Sequence, residues 1–151
     1  MTKRISLGGE RPTWLKQIVS VNAEVKQDAK EAGLDLKLLE LLKIRVSQLN
    51  GCAFCLDMHY KDARKIGETE QRIYLLNAWR EAGVYTEQEE AALALADAMT
   101  KLSETQDVAA DVYERATTVF TEEQYTVIAW AITIMNAFNR LNVTSHTPVP
   151  A

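Results

Sequence analysis

The chain has 151 residues, 47% of them hydrophobic and 25% charged, with a formal net charge of -4. Its sequence pI is about 5.3. That composition suits one globular domain with a real core and argues against nucleic acid or an anionic membrane as partner, since both select for basic surfaces. Residues Met1 to Glu10 hold no apolar stretch of the kind a signal peptide needs, and no apolar run approaches the roughly 18 residues of a membrane span. A cytoplasmic location is the expectation, and in that reducing compartment a cysteine pair is catalytic or metal-binding before it is a structural staple.

Helical periodicity runs through most of the chain and strand signals are nearly absent. The pattern predicts a helix from about Trp14 to Ala32, stopped by Gly33. Asp35 caps a second, which ends at Asn50-Gly51. A third runs from about Cys52 to Ile66 and stops at Gly67. Thr69 caps a fourth, which ends before Gly83. Thr86 with Glu89 forms a capping box for a fifth, through about Leu102. A sixth covers about Val108 to Thr118, and Thr121 with Gln124 opens a last helix through about Leu141. The expected fold is therefore all-α, a single-domain bundle of about six to seven helices with short connections. Its core spans about Leu15 to Asn142, between a flexible N-terminal arm and a flexible C-terminal tail. The stretch Val127 to Met135 is apolar on nearly all faces, as suits either a central core helix or one that packs on a second subunit.

The chemistry concentrates in Cys52-Ala53-Phe54-Cys55-Leu56-Asp57-Met58-His59. Side chains three and four apart share one helix face, so Cys52 and Cys55 are neighbours and His59 follows one turn later. Leu56, Ala63 and Ile66 join that face, while Asp57, Lys61, Arg64 and Lys65 lie opposite. The short mixed cluster from Lys61 to Lys65, which includes Asp62, reads as a solvated helix face. Cysteines three apart are close enough for a reversible disulfide. Cys52 falls in the first turn, where free amides and the helix dipole favour a thiolate. A zinc site of Cys52, Cys55, His59 and an acid is disfavoured, because three ligands within a turn and a half of one helix poorly surround a tetrahedral ion. His59 does not directly follow Cys55, so haem attachment is not indicated.

Periodicity alone places Glu40 with Lys43 and Ser47 on the polar face of the second helix, as a solvated acid paired with Lys43. Arg45 falls on the apolar side between Leu38 and Leu41, where it needs a partner, and a structural ion pair is the favoured reading.

The run from Glu40 to His59 resembles the core of the alkyl hydroperoxidase D-like proteins of the carboxymuconolactone decarboxylase superfamily. The family pattern is a glutamate, eleven residues, CxxC, three residues, then a histidine. Glu40, Cys52, Cys55 and His59 match it at every position. The resemblance implies a peroxidase cycle without a cofactor or metal, on an organic hydroperoxide. Cys55 would attack, Cys52 would form the disulfide with it, and His59 and Glu40 would relay protons. It also implies a dithiol reductant protein as partner and a homo-oligomer, a trimer or hexamer. The sequence departs from the best-studied type of member at Phe54, where that type carries a second histidine, which bears on peroxidase efficiency and on the natural oxidant. Two other classes stay open: a redox-sensing or metal-binding dithiol module without turnover, and a structural oligomer with relic cysteines. Within the superfamily a decarboxylase activity is the alternative.

Overall fold

The computed structural model describes residues 2–151. α1 (Leu7–Glu10) is a single turn capped by the Ser6 hydroxyl. α2 (Pro12–Glu31) opens on proline at a position where no amide donor is needed. α3 (Leu36–Asn50) is capped by the Asp35 carboxylate and ends at Gly51 in the left-handed region, φ 66°, which a side chain would strain. α4 (Ala53–Lys65) follows after the single residue Cys52. α5 (Glu70–Leu75), a 3-10 turn (Leu76–Ala78) and α6 (Trp79–Ala82) come next. α7 (Glu87–Thr100), α8 (Leu102–Thr105), α9 (Ala110–Val119) and α10 (Glu122–Ser145) complete the chain. Both expected capping boxes, Thr86 with Glu89 and Thr121 with Gln124, are formed. Every regular element among the described residues is helical, and none of these helices is long and apolar enough to cross a membrane.

Two expectations about elements need correction. The fourth helix is not continuous: it breaks at Leu76–Ala78. The break lets Asn77 accept from Arg45 Nη1 at 3.1 Å while the buried Trp79 indole reaches Asp97 at 3.3 Å. A straight helix would not present both side chains to the same buried pair. The last helix runs on to Ser145, past Leu141, and α1, α6 and α8 add short helical segments beyond the six or seven expected.

α3 is the centre of the packing, with α4, α7 and α10 all laid against it. As a result every residue from Leu38 to Ser47 is buried. This overturns the polar face read from periodicity: Glu40 is only 6% exposed, Lys43 7% and Ser47 0%. The cover is α4 on the Glu40 side and α10 on the Ser47 side, and each buried polar group is given a partner there. No buried side-chain polar atom among the described residues lacks a hydrogen bond. The N-terminal arm lies along the end of α10, where Arg4 donates to the Thr144 carbonyl and the Leu7 amide to the Ser145 hydroxyl, each at 3.1 Å.

α10 is buried at Val127, Ile128, Ala131, Ile132, Ile134 and Met135, so it is a core helix. It is not enclosed on all sides, however: Trp130 is 54% exposed.

Candidate functional site

The site is built where α3 hands over to α4. The left-handed turn at Gly51 sends the Cys52 amide back to the Ser47 carbonyl at 3.0 Å and leaves Cys52 as the capping residue of α4. Its sulfur takes the place an oxygen usually holds, accepting the Cys55 amide at 3.4 Å. Both cysteines are free thiols and buried. Cys55 is wholly enclosed, and its sulfur accepts from Asn142 Nδ2 at 3.5 Å. Burial pushes the Cys55 thiol up, to about 12, with the adjacent Cys52 adding to the rise and the amides of Asn139 and Asn142 opposing it.

One turn along α4, His59 is also buried. Its Nδ1–H donates to Glu40 Oε2 at 2.8 Å, while Lys43 Nζ donates to Glu40 Oε1 at 2.8 Å. Burial alone would raise the Glu40 carboxyl; the His59 hydrogen bond and the Lys43 ammonium outweigh it and hold Glu40 at about 2. Glu40 is therefore a carboxylate throughout the neutral range. Because Nδ1 is committed to Glu40, Nε2 is the ring nitrogen left to exchange a proton. Among the described residues no hydrogen bond joins His59 to either sulfur.

The four residues expected from the motif thus form two contacting pairs, Cys52 with Cys55 and Glu40 with His59, on adjoining helices. A cleft of about 230 Å³ reaches Glu40 from outside, lined in part by Lys26, Leu36, Lys43 and Asp62. Asp62 was expected on the solvated face; Lys61 and Lys65 do stay exposed, but Asp62 turns partly inward. Single donor atoms of Glu40, His59 and Asp62 lie within 4.8 Å of one another, a spacing that could hold a divalent metal. Against that use, Glu40 is already committed to Lys43 and His59, and Lys26, Lys43 and Lys65 line the same cleft and repel a cation.

Arg45 forms the structural ion pair expected of it. Its guanidinium holds both Asp97 oxygens, at 2.6 and 3.1 Å. Burial raises Asp97, but Arg45 and then Arg80 keep it below the usual carboxylate range.

Sequence reasoning missed Asn139 and Asn142. The signal was present: Asn136, Asn139 and Asn142 recur every third residue along the last helix, a stripe of amides on one face. Asn50, read only as a stop signal, donates at 3.0 Å to the side-chain oxygens of both Asn136 and Asn139.

The model of the carboxymuconolactone decarboxylase family matches residues 12–98. The chain belongs to the carboxymuconolactone decarboxylase family. An uncharacterized protein of Bacillus subtilis (strain 168), YdfG, is 41% identical over 143 residues, covering 95% of this chain and 94% of its own. A solved protein of unknown function from Agrobacterium tumefaciens, ATU0492, whose suggested role is antioxidant defence as an AhpD, is 37% identical with a TM-score of 0.87. It covers 99% of either chain. The debrominase Bmp8, solved as a cysteine variant with 2,3,4-tribromopyrrole, has a TM-score of 0.81 at 19% identity, over 95% of this chain and 74% of its own. That last likeness is one of fold. The resemblance drawn from Glu40 to His59 therefore holds at the level of the family.

Proposed function

We propose that this carboxymuconolactone decarboxylase family protein is a thiol-dependent peroxidase acting on organic hydroperoxides through a Cys52–Cys55 dithiol/disulfide cycle. The observation that carries the reading is the pairing of a buried dithiol at the cap and first turn of α4 with a carboxylate-held histidine one turn later. The suggested antioxidant role of the Agrobacterium protein points the same way.

Cys55 attacks, the role that the family resemblance gives it. Its thiolate bonds to the terminal oxygen of ROOH and the O–O bond breaks, giving Cys55 sulfenic acid and RO⁻. Protonation of RO⁻ releases the alcohol. Cys52 then displaces hydroxide from the sulfenic sulfur, which leaves as water, and the disulfide forms. An external dithiol protein restores both thiols by exchange. Nε2 of His59 takes the Cys55 proton and returns one to the leaving oxygen, directly or through water. Glu40, at about 2, is too weak a base to take that proton at neutral pH. It acts by fixing the histidine tautomer and supporting the imidazolium, as the aspartate does in a Ser-His-Asp triad. Glu40 is thus a positioning residue within the expected Glu/His relay.

The acting species is a homo-oligomer, trimer or hexamer, in a reducing cytoplasm; the large apolar side chain of Trp130, left exposed on the outer face of α10, supports the first point. The deciding experiment is a steady-state assay with an organic hydroperoxide and a general dithiol reductant. Turnover that disappears in Cys52→Ser and Cys55→Ser is expected. Consumption of a single equivalent of peroxide and no more would replace the peroxidase by a redox sensor.

A further inference from the structure

α10 meets the dithiol through a side-chain amide. Asn136, Asn139 and Asn142 sit one turn apart along its inner face. Asn50, at the end of α3, donates to the oxygens of Asn136 and Asn139 at 3.0 Å. With its oxygen occupied, Asn139 must turn its NH2 group the other way. One of its N–H bonds goes to the Ser47 hydroxyl at 3.1 Å, and the Asn139 amide is one of the two that hold the Cys55 thiol down against burial. Asn139 is 1% exposed, so this orientation is held by its surroundings and not by water. Asn142, half-buried on the next turn, donates to the Cys55 sulfur at 3.5 Å.

We infer that Asn142, supported by Asn139, is a catalytic residue of this site: the two side-chain amides form a neutral cradle for negative charge on the Cys55 sulfur. The inference rests on the thiol-redox reading above. Two steps use the cradle. Before attack, Cys55 loses its proton and its sulfur carries a full charge in a fully buried place. During regeneration, the thiolate of the external dithiol bonds to the Cys52 sulfur, the Cys52–Cys55 bond breaks, and the electron pair stays on Cys55 as a thiolate until it is protonated. An N–H donor favours the charged form in both. The same two amides are the groups that oppose the upward push of burial and of Cys52 on this thiol. An amide has no proton to lose near neutral pH, so the cradle works without adding a titrating group. The charged and titratable groups around Cys55 are Cys52 and His59 beside it on α4 and, behind His59, Glu40 and Lys43 from α3; on α10 the exposed Arg140 donates to the Asn136 oxygen at 3.0 Å, and the Asn142 amide meets the sulfur.

The test isolates Cys55 in a Cys52→Ser background and follows its thiolate by ultraviolet absorbance against pH. Asn142→Leu removes the donor, and Asn142→Asp replaces it by an anion of the same shape. A hydrogen bond to a charged group of ordinary strength predicts that the Leu variant raises the Cys55 midpoint by about one pH unit, a tenfold loss of thiolate, and the Asp variant by more. Equal midpoints in Asn142, Leu and Asp proteins would overturn the inference. Equal rises in Leu and Asp would do so as well, since a merely structural effect does not follow the charge. If Cys52→Ser does not fold, the pH dependence of Cys55 alkylation, read by mass spectrometry in proteins that keep Cys52, gives the same ordering or refutes it. The readout needs no peroxide, so a protein without peroxidase turnover still decides the cradle.

Discussion

Glu40 and His59, nineteen residues apart in sequence, meet at 2.8 Å through Oε2 and Nδ1, and the second oxygen of Glu40 is occupied by Lys43. The carboxylate is thereby paired with the Lys43 ammonium before the imidazole takes any charge. The pair is buried, so its geometry is set by packing of α4 on α3 and is not averaged by solvent. It holds one ring nitrogen and frees the other, which is the arrangement a proton-transferring histidine needs.

The first prediction follows from that orientation. Glu40→Gln keeps the shape but offers an NH2 donor or a weaker acceptor, and removes the charge that supports an imidazolium. Turnover with organic hydroperoxide should fall about 10²–10⁴-fold, the range expected when the histidine that Glu40 positions loses its general-acid/base function. His59→Gln should fall in the same range, and the double variant should lose far less than the product of the two, because members of one unit are not additive. Fully additive losses would show that the two residues act separately.

The second prediction is the pH dependence of stability. The folded state holds Glu40 at about 2, below its ordinary 4.5, so the folded chain binds this proton more weakly than the unfolded chain does. The stabilisation is then complete above about 4.5 and is lost as the pH falls toward about 2. Asp97 is depressed as well and acts in the same direction. Denaturant midpoints measured across this range should decline more steeply in the native protein than in Glu40→Gln, which retains only the share of Asp97 and other carboxylates. Parallel profiles would mean that Glu40 is not held as a buried carboxylate.

Arg45 provides the third prediction and a contrast with the site. Removing one partner of a buried ion pair leaves an uncompensated charge and costs about 3–5 kcal/mol. Asp97 keeps Arg80 and the Trp79 indole, so Arg45→Leu should fall at the lower end of that range. Chemical denaturation should show the loss. At a temperature where the variant is folded, thiol titration with a disulfide reagent should be unchanged, because Arg45 contacts neither cysteine nor His59. A loss of thiol reactivity in folded protein would give Arg45 a role in the site.

The helices were legible in the sequence because their punctuation is local: Asp35, Thr69, Thr86 and Thr121 each cap where they were expected to. The CxxC face was legible for the same reason, since spacing three and four apart fixes neighbours on one helix. What periodicity misread was α3. A helix with Glu40, Lys43 and Ser47 on one side looks amphipathic, but burial is decided by what packs on that side, and here α4 and α10 cover it. The motif resemblance, and not the helical pattern, pointed to Glu40. The amides of α10 were overlooked because attention to the apolar run from Val127 to Met135 passed over them, when their common spacing made them a stripe. The break at Leu76–Ala78 depends on Asp97 and Arg45, distant in sequence, and no local signal announces it.

The last prediction concerns the outer side of α10. Six of the nine residues from Val127 to Met135 are buried within the protomer, so the apolar run is mostly explained by its own core. Of the other three, Trp130 is the large apolar side chain, 54% exposed, and it lies beside Val21 and Val25 of α2 along a shallow groove that also holds Glu24 and Asp28. A tryptophan left open beside apolar neighbours and ringed by acids has the make-up of an interface centre with a polar rim. Light scattering on the purified protein should therefore give a mass several times 17.0 kDa. Trp130→Glu places a charge at the centre of that surface and should shift the mass toward the protomer, more so on dilution. Trp130→Phe, which keeps the apolar area, should hold the assembly. Glu40, His59, Cys52 and Cys55 all come from one chain, so thiol titration of the dissociated variant should match the parent. A parent protein that stays a monomer at every concentration would remove the oligomer from the proposal and leave Trp130 as an isolated exposed side chain.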